Sequence, residues 1–496
     1  MRGNRAGINM TLKRTAAAVA GVLAWAGPAD AGEWTGVYIG IGGGMGAAVH
    51  DLTFENGPLV PAPAFGAELS GIGGEGAFFS LGAGADYQVN NRFVVGAFFD
   101  YDWANIESDV LSLQIGPPIG IAAEANIEVE DVWSVGGRLG YLVTPSTMLF
   151  LSGGYSRADI SDLTLNASGL GGFGGLTLAG VGDFDGYFIG GGAEIKLTKS
   201  ISIKGEYRYT DFSDETITLV PGTPFAGLVN GFVTTKLDPD IQTARVALTY
   251  RFGLGAHDTD EPAAEAAPVG SWSQFYIGAG GVSAFGNNEL TLTPGPFLAG
   301  FGVDASLGLD ALGSQGAGFT VGLGVDRQYD DKFVFGVFAD YTRHSNEFEI
   351  GLNVGALVSG SLNYEIEDEW SIGARAGYLV TPSTLLFTSV GYSRLSLSDT
   401  TLQGAIFGAP VGPIVLADNG SFGGVFLGSG IEMKLSDSLS LKGEYRYLFA
   451  DGDQIDLLPG VTFGPFTAND FVSAELSPDI QSVRLSLDYR FNFAGQ

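Results

Sequence analysis

The imidazoles of the 496-residue chain are three histidines, His50, His257 and His344, and none of them shares a metal-ligand spacing with another. His50 and His344 would sit near the outer rim of their strands, where a hydrolytic or acyl-transfer site would need a general base. Each lacks a counterpart in the other half of the chain, which favours rim decoration over catalysis. Cysteine is absent, so disulfides and thiolate metal sites are excluded. "GIGGGMG" (Gly40 to Gly46) half-suggests a phosphate loop, but no helix signal follows and strand glycine explains it better. "DTDE" (Asp258 to Glu261) lacks the remaining ligands of a calcium loop and reads as solvated linker. No catalytic, cofactor-binding or metal-binding residue is expected, and the chain reads as a non-enzyme. What remains is ion pairing. In "ISIKGEYRYTDF" (Ile201 to Phe212) the charges Lys204, Glu206 and Arg208 alternate with Ile203, Tyr207 and Tyr209, and "LSLKGEYRYLFA" (Leu439 to Ala450) repeats the pattern.

That alternation has the period of a β-strand, with one face fit for hydrocarbon and the other dense with ions. Other segments share it. Ala77, Phe79, Leu81, Ala83 and Tyr87 oppose Ser80, Gly82, Asp86 and Gln88, while Val246, Leu248, Tyr250 and Phe252 oppose Thr243, Arg245, Thr249 and Arg251. Charges of both signs fall on the polar face, and opposite charges converging in a narrow lumen can pair, which makes their burial tolerable. The expected lumen network is Asp86, Asp100, Arg138, Glu194, Lys204, Glu206, Arg208 and Arg245, repeated as Asp326, Asp340, Arg375, Glu432, Lys442, Glu444, Arg446 and Arg484. Lys196 and Arg251 lie on the same face. The oily face against lipid forces the sheet to close, because no backbone edge can stay unpaired in hydrocarbon. The fold class is therefore all-β, a transmembrane antiparallel up-and-down barrel.

The elements that carry these faces occur twice. "DVWSVGGRLGYLVTPSTMLFLSGGYSR" (Asp131 to Arg157) returns as "DEWSIGARAGYLVTPSTLLFTSVGYSR" (Asp368 to Arg394), and "LDPDIQTARVALTYRF" (Leu237 to Phe252) as "LSPDIQSVRLSLDYRF" (Leu476 to Phe491). Each copy holds eight alternating segments, beginning in the first near Thr35, Gly76, Arg92, Ile127, Met148, Gly186, Ile201 and Asp240. Tight turns at Asn90–Asn91, Thr144–Thr147 and Thr198–Ser200 alternate with connections of about 20 residues or more, an asymmetry typical of outer-membrane barrels. The expected organisation is an export signal over residues 1–31, a first barrel unit over 32–253, an acidic Ala/Pro periplasmic linker over 254–271 and a second unit over 272–496. The signal rests on Lys13 and Arg14, the apolar Ala16–Gly27 and the small-residue cleavage pattern Ala29–Ala31; Met1 or Met10 could initiate. Two eight-stranded barrels are favoured by the 18-residue linker, by a "YRF" strand ending each copy and by the mixed lumen charge. The alternative is one sixteen-stranded barrel enclosing a channel.

Removing residues 1–31 leaves 20 Lys and Arg against 54 Asp and Glu. Such an acidic chain excludes nucleic acid as partner, since phosphate binding needs a basic footprint. The central parts of the long loops carry no Lys or Arg, whereas Asp51, Glu55, Glu68, Glu107, Asp109 and Asp162 fall in them. That is consistent with solubility and avoidance of lipopolysaccharide phosphates, and a sharper alternative is divalent-cation bridging.

"WTGVYIGIGGG" (Trp34 to Gly44) after the signal, "GYLVTPST", "KGEYRYTDF" and the terminal "LSLDYRF" together resemble the opacity-protein-like outer-membrane surface antigens, over residues 33–253 and again 272–493. The resemblance implies eight-stranded barrels in the outer membrane of a Gram-negative bacterium, with loops extracellular and turns periplasmic. It implies lipid and lipopolysaccharide as surroundings and the barrel-insertion machinery as a partner in biogenesis. Tyr489, Phe491 and Phe493 look like the terminal signal that machinery reads. The family supplies no catalytic residues and no cofactor. The expected role is structural, antigenic or adhesive display of loops whose external ligand is unknown; the alternatives are a porin-like passive channel and then a ligand-binding receptor.

Overall fold

In the computed structural model the described residues are 34–60, 66–117, 120–169, 175–253, 270–354, 358–406, 409–462 and 464–492. The export signal, most of the linker and Phe493 lie outside them. The first unit contains β1 (Gly36–Asn56), β2 (Gly66–Gln88), β3 (Phe93–Ile115), β4 (Ile121–Thr144), β5 (Thr147–Ile160), β6 (Leu163–Ser168), β7 (Leu176–Gly180), β8 (Gly182–Lys196), β9 (Ile201–Phe212), β10 (Glu215–Leu219) and β11 (Val233–Gly253). The second contains β12 (Gln274–Pro294), β13 (Ala305–Tyr329), β14 (Phe333–Val354), β15 (Val358–Thr381), β16 (Thr384–Leu397), β17 (Thr400–Ile406), β18 (Ala409–Asp418), β19 (Ser421–Lys434), β20 (Leu439–Ala450), β21 (Asp453–Leu457) and β22 (Val472–Asn492).

Eight strands of each unit pair antiparallel in a ring, β1–β2–β3–β4–β5–β8–β9–β11 and β12–β13–β14–β15–β16–β19–β20–β22. The rings close where β1 meets β11, from Gly36↔Gly253 to Asn56↔Val233, and where β12 meets β22, from Gln274↔Asn492 to Pro294↔Val472. A sixteen-stranded ring would need β11 paired with β12; both strands instead pair within their own unit.

Local chemistry explains the tight turns. The Asn90 carboxamide oxygen accepts the N–H groups of Arg92 and Phe93, and the Thr198 hydroxyl accepts those of Ser200 and Ile201, so each side chain holds its own hairpin bend. On the other rim the strands run longer than their alternation suggests. β2 starts at Gly66 rather than near Gly76, β4 at Ile121 and β11 at Val233. The expected loops of some 20 residues are shortened accordingly, and β6, β7, β10, β17, β18 and β21 occupy much of the rest. The reason is physical: above the lipid the outer face no longer has to be apolar, so the greasy half of the alternation fades although the inward face stays packed and backbone pairing continues. A membrane strand needs about 9–11 residues, and β1 to β4 have 21 to 24, so roughly half of each stands clear of the bilayer.

On β22 the outward residues Val483, Leu485, Leu487, Tyr489 and Phe491 mark the lipid-crossing stretch, with Gln481 and Asp479 beyond its outer end. Trp133 packs on Tyr155 at one border of the belt and Phe93 on Tyr141 at the other, with centroids 5.4 and 5.6 Å apart, as expected of aromatic girdles.

Above the membrane the two rings join. β13 pairs with β3 (Ala305↔Ile115 to Gly308↔Ser112), and β14 pairs with β2 (Ile350↔Leu69 to Asn353↔Gly66). These are equivalent contacts, with the roles of the units exchanged. At the centre Ile72 faces its own counterpart Leu312. A Cβ on Gly73 would stand 2.7 Å from the Gly313 Cα, so the backbones approach as only glycine allows. The seam is thus an approximate two-fold built within one chain.

Candidate functional site: the filled lumen

Because side chains on a strand alternate, every second residue of eight strands points at one axis, and the lumen of an eight-stranded barrel is just wide enough to be filled by them. At its periplasmic end Trp34 is fully buried, its indole N–H donating to the Pro145 carbonyl at 2.9 Å; Trp272 and Pro382 repeat this at 3.1 Å. Lys196 and Arg251 lie over the Trp34 ring at 4.7 and 5.4 Å, and Lys434 and Arg490 over Trp272 at 5.0 and 4.8 Å.

Next comes a four-membered ionic ring from four strands. Arg138 of β4 reaches Asp86 of β2 at 2.5 Å and Glu194 of β8 at 2.8 Å; Arg251 of β11 reaches the same two carboxylates at 2.7 and 3.3 Å. The second unit repeats it with Arg375 bridging Asp326 and Glu432, and Arg490 bridging the same pair. Two guanidinium groups thus neutralise two carboxylates with no net charge, and all four are buried.

Above this ring Lys204 pairs with Glu206 at 3.2 Å, and Ser152 donates to Glu206 at 2.7 Å. Arg208 then bridges Glu206 and Asp100 at 3.2 and 3.0 Å, while Arg245 bridges Asp100 and Asp102 at 3.2 and 2.9 Å. In the second unit Lys442 pairs with Asp488 at 3.1 Å, Glu444 accepts from Ser389 at 2.6 Å and meets Arg446 at 3.1 Å. Asp340 takes Arg446 at 3.0 Å and Arg484 at 2.8 Å, and Glu369 takes Arg484 at 2.7 Å.

All sixteen charged residues expected in the lumen are placed there, in these layers. Sequence reasoning missed Asp102, Glu369, Lys434, Asp488 and Arg490. It could not transfer the acid that receives the upper arginine, because that acid changes strand: Asp102 on β3 becomes Thr342, while Val132 on β4 becomes Glu369. The extra carboxylate also binds His344 at 3.1 Å, where the first unit has Ala104. His344 is therefore a lumen residue held by Glu369, and His50 is fully buried in the outer, apolar end of the first barrel.

That outer end is a hydrocarbon cap of Ile106, Ile127, Val129, Phe184, Phe212, Ile217, Leu237 and Ile241. Phe348, Tyr364, Leu395, Phe422, Phe426 and Leu476 form its counterpart. Between cap and indole, two spaces in the first lumen measure ≈30 and ≈10 Å³, room for a water or two. No cluster of three or more potential metal ligands occurs among the described residues.

A closed, filled β-barrel with a lipid-facing belt defines an outer-membrane protein. The chain matches the outer membrane protein beta-barrel domain over residues 15–252 and again over 262–491; it belongs to that family as a tandem duplication. The 31 kDa outer-membrane immunogenic proteins of Brucella melitensis biotype 1 and Brucella suis biovar 1 are each 28% identical to it over 230 residues, covering 46% of this chain and 87% of theirs. Among solved structures, Neisserial surface protein A is 15% identical with a TM-score of 0.22, covering 44% of this chain and 97% of its own. The chain resides in the Gram-negative outer membrane.

Proposed function

We propose that the protein is a non-catalytic surface-display protein, in which two plugged barrels anchor a shared acidic, extracellular β-platform with a structural, antigenic or adhesive role. The observation that carries this reading is the four-membered Arg–carboxylate ring, whose buried, mutually neutralised charges reach into the lumen of each unit from four strands. Opening such a ring strands charges in a low-dielectric interior and costs several kcal/mol, so passage of solutes through either lumen is disfavoured. The relatives described as outer-membrane immunogenic proteins lend support, since display of loops at the cell surface fits that description. Lipid and lipopolysaccharide fit as surroundings: Arg157 and Arg394 sit at strand positions on the outer rim, Arg157 held by Asp183 at 2.6 Å and Arg394 by Ser421 at 2.7 Å. The test is single-channel recording with the full chain in a planar bilayer. Silence is expected, and steady nanosiemens-scale openings would return the chain to the porin reading.

A further inference from the structure

The seam's two sides differ in one chemically decisive position. On one side Gln242 donates to Gln315 at 3.2 Å, and the Gln315 amide N–H donates to Asp240 at 2.8 Å. The repeat aligns Gln315 with Glu75, Asp240 with Asp479, Tyr209 with Tyr447 and Gln242 with Gln481. On the second side, therefore, a carboxylate replaces the amide. Gln481 donates to Glu75 at 2.8 Å, and the Tyr447 hydroxyl lies 2.8 and 2.9 Å from the two Glu75 oxygens and 3.2 Å from Asp479 Oδ2.

The hydrogens do not suffice. A phenol has one proton to give, yet three carboxylate oxygens surround it. Ala450 N–H, at 3.1 Å, serves the other Asp479 oxygen. The remaining Asp479 oxygen faces the phenol oxygen as acceptor against acceptor unless Asp479 itself carries a proton. With that proton the chain is complete: Asp479 donates to Tyr447, and Tyr447 donates to Glu75.

We propose that this side of the seam is a proton-binding site, where a proton on Asp479 does the work that the Gln315 amide does opposite, so that proton uptake tightens the junction between the barrels and proton loss loosens it. The groups facing the pair do not relieve it. Glu107 on β3 is the register partner of Glu75, Asn287 on β12 that of Asp479, and Glu289 on β12 and Tyr445 on β20 stand close by; Ala47 of β1 is neutral. Burial raises the Asp479 carboxyl to about 6, the Ala450 N–H opposing that shift and the Glu75 charge adding to it. A raised carboxyl binds its proton more tightly in the closed seam. Its stabilisation is therefore present in acid and lost as pH rises through about 6.

Hydrogen exchange on the full chain in detergent micelles reads this directly, corrected for the intrinsic pH dependence of exchange. The inter-unit segments Gly66–Ile72 and Ala305–Leu312 should lose roughly tenfold protection between pH 5 and pH 8 by linkage, while the lumen strands stay unchanged. Glu75→Gln, which restores the amide, should hold protection at the pH 5 level throughout. Gln315→Glu should install the same loss on the opposite side and steepen the dependence. A Glu75→Gln protein that keeps the wild-type dependence, or a wild type without one, overturns the proposal.

Discussion

Arg138→Met removes one corner of the ring that closes the first barrel while keeping a side chain of similar length. Three charge-assisted hydrogen bonds disappear: Nε to Asp86 Oδ1 at 2.9 Å, Nη2 to Asp86 Oδ2 at 2.5 Å and Nη1 to Glu194 at 2.8 Å. At about 1.5–3 kcal/mol each the gross loss is large, but Arg251 remains on both carboxylates and the methionine recovers packing. One net buried negative charge is left, and truncating one partner of a buried pair costs about 3–5 kcal/mol. With a urea slope near ~2 kcal/mol per molar, the unfolding midpoint of the first unit should fall by roughly 2 M. The assay is urea titration of the detergent-folded chain, followed by heat-modifiable gel mobility. Asp86→Asn combined with Arg138→Met leaves a clean Glu194–Arg251 pair and should recover most of the loss. Arg375→Met should act likewise on the second unit. A loss below about 1 kcal/mol, the range of exposed pairs, would refute the reasoning, because the ring would then be hydrated.

Other consequences follow from the same coordinates. Trp34→Ala should destabilise the first unit by about 3–5 kcal/mol, as expected for a buried aromatic truncated to alanine, yet leave bilayers silent because the ionic ring above it persists. Burial and the neighbouring Asp240, Asp51, Asp211 and Asp214 raise the Asp238 carboxyl on the outer ladder to about 6. The folded ladder binds that proton more tightly than the open one, so its protease resistance should fall as pH climbs through about 6, and Asp238→Asn should flatten the profile. Gln114→Cys with Ser306→Cys, register partners across the seam, should form an intrachain disulfide in a protein that otherwise has no thiol; failure under oxidant would deny the joined platform.

Period-two alternation made the barrel and the facing of most lumen charges legible, because lipid enforces that rhythm residue by residue. The duplicated "KGEYRY" made Lys204, Glu206 and Arg208, with their second copies, readable as one stripe. Glu369 was not legible, since its partner acid in the other unit stands on a different strand and only the closed ring shows that both reach the same guanidinium position. The strand extensions escaped because water, not lipid, meets their outer face, so the apolar side of the alternation no longer marks them even though their inner face packs into the cap. The seam escaped for a further reason: Glu75 and Asp479 look like ordinary polar residues beyond the lipid belt, and nothing local says that positions some 400 residues apart meet.

The claim on which the account depends is that each unit closes on itself. Ile41 and Leu248 are register partners on β1 and β11, both outward and half exposed. Ile41→Cys with Leu248→Cys, oxidised in native outer membranes, should form a disulfide within single chains, visible as an altered mobility of the unfolded protein that reductant reverses. Absence of that bond, with efficient crosslinking of Leu248→Cys to Ala279→Cys on β12 instead, would mean that the two units open into one larger ring.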